Sequence, residues 1–164
     1  MIKKINDVLF KAIKYILTFA LLITTLLVFL QIVSRYAIGF SYAEIDEIAL
    51  HLFAWMISMG VAFAFRAKAH LGITALVSRF TGKLKFIAEV SINIILIMFL
   101  LTVFFAGISF AQLGMAQSTS AMYLPLGYIY ASLPFGAALC ILVFIENLYL
   151  LMFHKSTTAQ TSQK

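Results

Sequence analysis

Four long apolar runs, at residues 15–34, 48–65, 90–111 and 123–145, decide what this chain can become. The first carries no charge between Lys14 and Arg35, the second is interrupted only by His51, the third has one strongly polar residue in Asn93, and the fourth contains Pro125 and Pro134. A bilayer core of about 30 Å is crossed by about 20 apolar residues in a helix. Inside hydrocarbon every backbone N–H and C=O must be paired within the protein, so continuous runs of this kind fold as helices. A transmembrane β-barrel needs alternating strands of about ten residues, which these are not. Of the 164 residues, 63% are hydrophobic and 11% charged, too few polar groups to cover a water-soluble domain. The expectation is an all-α integral membrane protein: one four-helix membrane domain over residues 1–155 and a disordered polar tail over 156–164.

Charge sets the expected direction. Eleven of the twelve basic residues lie in the N-terminal stretch, in the loop between the second and third spans, and in the C-terminal stretch; the first loop has only Arg35, beside Glu44, Asp46 and Glu47, and the third has none. Basic residues stay on the cytoplasmic side, so both termini are expected in the cytoplasm, with the +6 net charge serving topology and not nucleic-acid binding. The first run exceeds a typical signal-peptide core and Val33-Ser-Arg-Tyr36 is not a small-residue cleavage site, so it reads as a retained span. Before it, Ile2, Ile5, Leu9, Phe10 and Ile13 segregate from Lys4, Asp7, Lys11 and Lys14. That pattern suits either an interfacial amphipathic helix in contact with phospholipid or a plain extension of the first span.

Ionisable residues within a membrane are the default functional suspects. Here Glu89 and Glu146 sit at span ends, where interfacial ion pairing explains them better than a proton or ion relay. His51 follows Glu47 by one helical turn, with Trp55 one turn further, and one His with one Glu falls short of a metal or haem site. Cys140, the single cysteine, reads as a small packing residue. No catalytic, cofactor or metal residues are assigned, and an enzyme is not expected.

Small residues carry more information. Ala54, Ser58 and Ala62 recur every four residues, Gly60 and Ala64 form a parallel pair, Gly107 and Ala111 repeat the spacing, and so do Ser132, Gly136 and Cys140. In lipid such ridges let helix backbones approach closely. They are expected to seal the helices together or to meet a partner, with Pro134 kinking the fourth span. Tyr36, Tyr42, Tyr123, Tyr128 and Tyr130 are expected in an outer aromatic belt.

The order of several short stretches resembles the small membrane subunit of TRAP (tripartite ATP-independent periplasmic) transporters. They are Gln31-Ile-Val-Ser-Arg-Tyr36, Asp46-Glu47-Ile48, Phe53-Ala-Trp55, Gly60-Val-Ala-Phe-Ala-Phe-Arg66-Ala-Lys-Ala-His70-Leu-Gly-Ile73, and Ser120-Ala-Met-Tyr-Leu-Pro125-Leu-Gly-Tyr-Ile-Tyr130-Ala-Ser-Leu-Pro134-Phe-Gly-Ala-Ala-Leu139. Arg35, Glu47, Trp55, Arg66, His70 and Pro125 carry the likeness. The family often has Trp shortly before the Glu matching Glu47, where this chain has Tyr42-Ala-Glu-Ile-Asp46. The resemblance implies a multi-pass protein of the bacterial inner membrane that braces a large carrier subunit. That carrier holds the substrate and sodium sites, and a periplasmic binding protein delivers an organic acid such as a C4-dicarboxylate or a sialic acid. Since the chain stops at Lys164, the large subunit would be a separate polypeptide. Ala54, Ser58, Gly60, Ala62, Ala64, Pro134 and Gly136 are the expected packing or subunit-interface residues, and Glu44, Asp46 and Glu47 the expected docking residues for the binding protein. A homodimeric proton-coupled exporter would need an acidic residue deep in a span, and a cytochrome-like anchor would need paired intramembrane histidines; a non-transporting assembly factor has no distinguishing residue.

Overall fold

A computed structural model describes residues 2–40, 42–67 and 82–161 of the chain. Helix α1 spans Ile2–Val33 and runs into a π-helical turn, Ser34–Ile38; α2 spans Ala43–Arg66, α3 Gly82–Gly114, the short α4 Gly127–Tyr130, and α5 Ser132–Thr161. Among the described residues, four helical stretches are long and apolar enough to cross a membrane. Gly39, at φ 76°, ends the π turn in the left-handed region, and its N–H bonds Ser34 O.

Helix α1 is unbroken from Ile2, so the N-terminal stretch extends the first span and is not a separate surface helix. At about 1.5 Å per residue its 32 residues reach about 48 Å, well past a 30 Å hydrocarbon core. Its protected positions are Asn6, Phe10, Ile13, Leu17, Ala20, Ile23, Thr24, Leu27 and Gln31; all but Ile23 follow alternating steps of four and three. That is the seam of a left-handed coiled coil. Most of the other side chains on α1 are exposed and apolar, as a lipid-facing surface requires.

The helices form an open row. Helix α1 packs on α2, α2 on α5, and α5 on α3; neither α1 nor α2 packs comparably against α3 among the described residues. Helix α5 is therefore central, and it supplies Ala137, Leu139, Cys140, Val143 and Phe144 to a core completed by Phe10, Ile13, Ala62 and Leu100. Cys140 is packed in this core. Phe65 of α2 meets Phe144 edge-on at 4.9 Å.

The fourth apolar run differs from a single helix beginning at residue 123. Residues 118–125 form a small hairpin joined by a Ser118–Pro125 bridge. Helix begins at Gly127 and is interrupted at Ala131. The interruption lies three residues before Pro134, whose missing N–H cannot bond one turn back. At the other end α5 continues to Thr161, into the segment expected to be disordered; residues 162–164 lie outside the described residues.

Candidate functional site

Two polar junctions hold opposite ends of the helix row. The first, here the base, joins α1, α2 and α5. Asn6 Nδ2 donates to Glu146 Oε2 at 2.8 Å. Arg66 donates to the Asn6 carbonyl at 2.6 Å and to Asp7 Oδ1, and stands 3.9 Å from Glu146 Oε2. Its guanidinium also lies over the Phe10 ring, 4.4 Å from the centroid. Asn6 and Glu146 are buried. A buried carboxylate is tolerated when a cation and hydrogen-bond donors replace its water. The planar guanidinium suits this place because it presents several fixed donors and a face that stacks on an aromatic ring. Glu146 is thus an interfacial ion-pair partner, as its place at a span end suggests. In the sequence Asp7 and Phe10 read only as parts of an amphipathic pattern and Asn6 was not singled out, because their partners lie 56 to 140 positions away.

The second junction, the crown, hangs the hairpin on Glu47. Its Oε1 accepts the Ala121 N–H at 2.7 Å and its Oε2 the Met122 N–H at 2.9 Å. Within the hairpin, Thr119 N–H bonds Leu124 O at 2.9 Å, Leu126 N–H bonds Gln117 O at 2.9 Å, and Leu124 N–H bonds Thr119 Oγ1 at 3.0 Å. Together these bonds hold Tyr123 at φ 54°, an uncommon left-handed conformation for a bulky residue. Pro125 closes the bridge, and its carbonyl accepts the Tyr128 N–H at 3.2 Å. His51 pairs through Nδ1 with the Glu47 backbone carbonyl at 2.7 Å, not with the carboxylate, which is occupied by the hairpin. Arg35 and Asp46 form an ion pair at 3.5 Å with both side chains more than half exposed, an arrangement of small energetic weight. Glu44 is exposed near them.

Between the junctions the small residues divide into two sets. A Cβ on Gly136 would lie 2.8 Å from Ser58 Cβ and 2.9 Å from Ser58 O, so α2 and α5 touch through this pair. Ala62 is fully buried, Ala54 is half-buried, and Trp55 packs on Phe135 at 5.4 Å between centroids. Pro134 seats its ring against Gly107, where a Cβ would come within 2.9 Å of Pro134 Cδ. Gly60 is different: a Cβ there meets nothing within 4 Å. It borders a face of α2 on which Leu50, Phe53, Ile57 and Val61 are exposed, with Ala64 half-buried beside them. The structure therefore unites Ser58, Ala62 and Gly136 in an internal seal and leaves Gly60 on an open surface. His70 lies outside the described residues.

Helices long and apolar enough to cross a membrane, joined by polar contacts at two levels, define a multi-pass membrane protein. Residues 24–154 match the DctQ component of the tripartite ATP-independent periplasmic transporters, and the chain belongs to that family of transporter subunits. Two Haemophilus influenzae proteins classed as TRAP transporter small permease proteins are similar to it. One is 29% identical over 79 residues, covering 48% of this chain and 49% of the relative; the other is 26% identical over 127 residues, covering 77% of each. The first match thus spans about half of that relative's length. The family and the four apolar helices place the chain in the bacterial inner membrane as a multi-pass protein.

Proposed function

We propose that this chain is the fixed brace of a sodium-coupled TRAP transporter for an organic acid of the C4-dicarboxylate or sialic acid type, and that the open face of α2 receives the large carrier subunit. The observation that carries this reading is the contrast between the two glycines. Gly136 is filled by a neighbour within the chain, whereas Gly60 stands open amid exposed Leu50, Phe53, Ile57 and Val61. Close helix approach in lipid needs such a surface. The charge asymmetry of the loops supports an orientation with the base in the cytoplasm and the crown in the periplasm. In that orientation Glu44 and Asp46 face the binding protein, while Glu47 contributes by holding the hairpin.

Gly60→Leu tests the interface. The added side chain has room within the chain, so insertion and folding persist, while a docked helix is pushed away. Overpacking by about 1–3 kcal/mol corresponds to roughly a five-fold to hundred-fold loss of the co-purified large subunit, with matching loss of uptake. Full co-purification and normal uptake would exclude this face as the contact. For the crown, reversing Glu44 and Asp46 to Lys is expected to slow delivery of substrate and weaken its dependence on salt. Unchanged kinetics at low and high salt would remove these two residues from docking.

A further inference from the structure

A shallow groove of about 550 Å³, open to the surroundings, lies between exposed side chains of α1 on the side away from its coiled-coil seam, lined by Thr18, Leu21, Leu22, Thr25, Leu26 and Phe29. Its two polar residues are closed off: Thr18 Oγ1 donates to Lys14 O at 2.9 Å and Thr25 Oγ1 to Leu21 O at 2.8 Å. The threonines so arranged offer an apolar floor where larger side chains would fill the space. Thr18 to Phe29 is twelve residues, eleven helical steps or about 16 Å, which is about half the thickness of the hydrocarbon core. That is the depth of one leaflet.

Basic side chains lie one to two turns N-terminal to the groove on the same helix. Lys11, Thr18 and Thr25 are spaced by seven residues and share one stripe of the helix, and Lys14 and Leu21 repeat the spacing beside it. Lys11 and Lys14 are exposed, as is Tyr15, at the level where the charge-free run begins and headgroups lie. Asp7, one turn further toward the N-terminus, is held by Arg66. We infer that α1 carries a binding site for an anionic phospholipid, with its phosphate between Lys11 and Lys14 and one acyl chain along the groove from Thr18 to Phe29. The charge N-terminal to the groove, the closed hydroxyls and the one-leaflet length together favour a lipid over a transmembrane helix, which would run past the groove across both leaflets. The site requires only that the chain spans a membrane, and it is independent of the transport role proposed above.

The test is native mass spectrometry of the full chain released from nanodiscs of equal phosphatidylglycerol and phosphatidylcholine. The unsubstituted chain is expected to retain phosphatidylglycerol preferentially. Lys11→Gln/Lys14→Gln should lower that preference by about five-fold per lysine removed. Thr18→Phe/Thr25→Phe fills the groove with both lysines intact and should abolish the retained lipid; general attraction of lysines to an anionic surface would survive this change. Both pairs are exposed, and thermal unfolding of each variant matched to the unsubstituted chain confirms that the fold persists. Equal lipid retention by all three proteins overturns the site. If the groove-filled variant instead keeps its lipid and loses a co-purifying membrane subunit, the groove is a helix-docking surface and the lipid assignment is wrong.

Discussion

Arg66 stands where three helices converge, and its single guanidinium serves the Asn6 carbonyl, Asp7, Glu146 and the Phe10 ring. Glu146 is only 8% exposed, so loss of the cation strands a carboxylate largely out of water. Arg66→Met is expected to destabilise the fold by about 3 kcal/mol, the low end for breaking a buried pair, since the junction lies at the end of the helices. Adding Glu146→Gln to that variant should restore about half of the loss, because the amide can still accept from Asn6 without carrying charge. Reversible unfolding of the single and double variants in nanodiscs gives the coupling energy. Strict additivity of the two changes would mean that the pair does not interact. Little of this was legible in the sequence. Arg66 and Glu146 could be placed at span ends, but Asn6 lies amid ordinary amphipathic residues and reveals its partner only when α1 and α5 are brought together. Glu47 was singled out for its charge, yet its partners are backbone amides of Ala121 and Met122, which no residue type announces.

At the level of the helices, small residues do two jobs that sequence spacing does not separate. In water a helix shows its inner face by polarity; in lipid both faces are apolar, so Ser58 and Gly60 look alike until the neighbours are known. The structure puts Ser58 against Gly136 and leaves Gly60 open. Gly136→Ala should therefore part α2 from α5, since its new Cβ would fall 2.9 Å from the Ser58 carbonyl oxygen and 3.1 Å from its carbon, backbone that cannot swing aside. A cost of about 1–3 kcal/mol is expected, whereas Gly60→Ala should leave stability unchanged or slightly raised. Thermal unfolding of the two variants side by side checks this, and equal losses would mean that the two glycines are packed alike. The number of spans was legible because four charge-free runs permit no other fold. The start of the fourth was not: Tyr123, Leu124 and Pro125 are apolar enough to read as helix, but hydrogen bonds to Glu47 and within the hairpin take them out of it.

For the whole molecule, the open row of α1, α2, α5 and α3 leaves broad apolar surfaces on both sides, while the base ties α1, α2 and α5 together and the crown ties α2 to the hairpin. Such a design resists relative sliding of helices and offers area to lipid and to a partner. The chain belongs to the DctQ family of TRAP transporter subunits, and under the function proposed above this design serves a part that stays still while another moves. The most direct measurement is solute flux into liposomes containing this chain alone, its large subunit alone, or both, with binding protein, substrate and a sodium gradient supplied outside. A brace requires no flux above the empty-liposome rate for this chain alone, and sodium-dependent uptake when both subunits are present. Substrate moved by this chain alone would contradict that assignment outright.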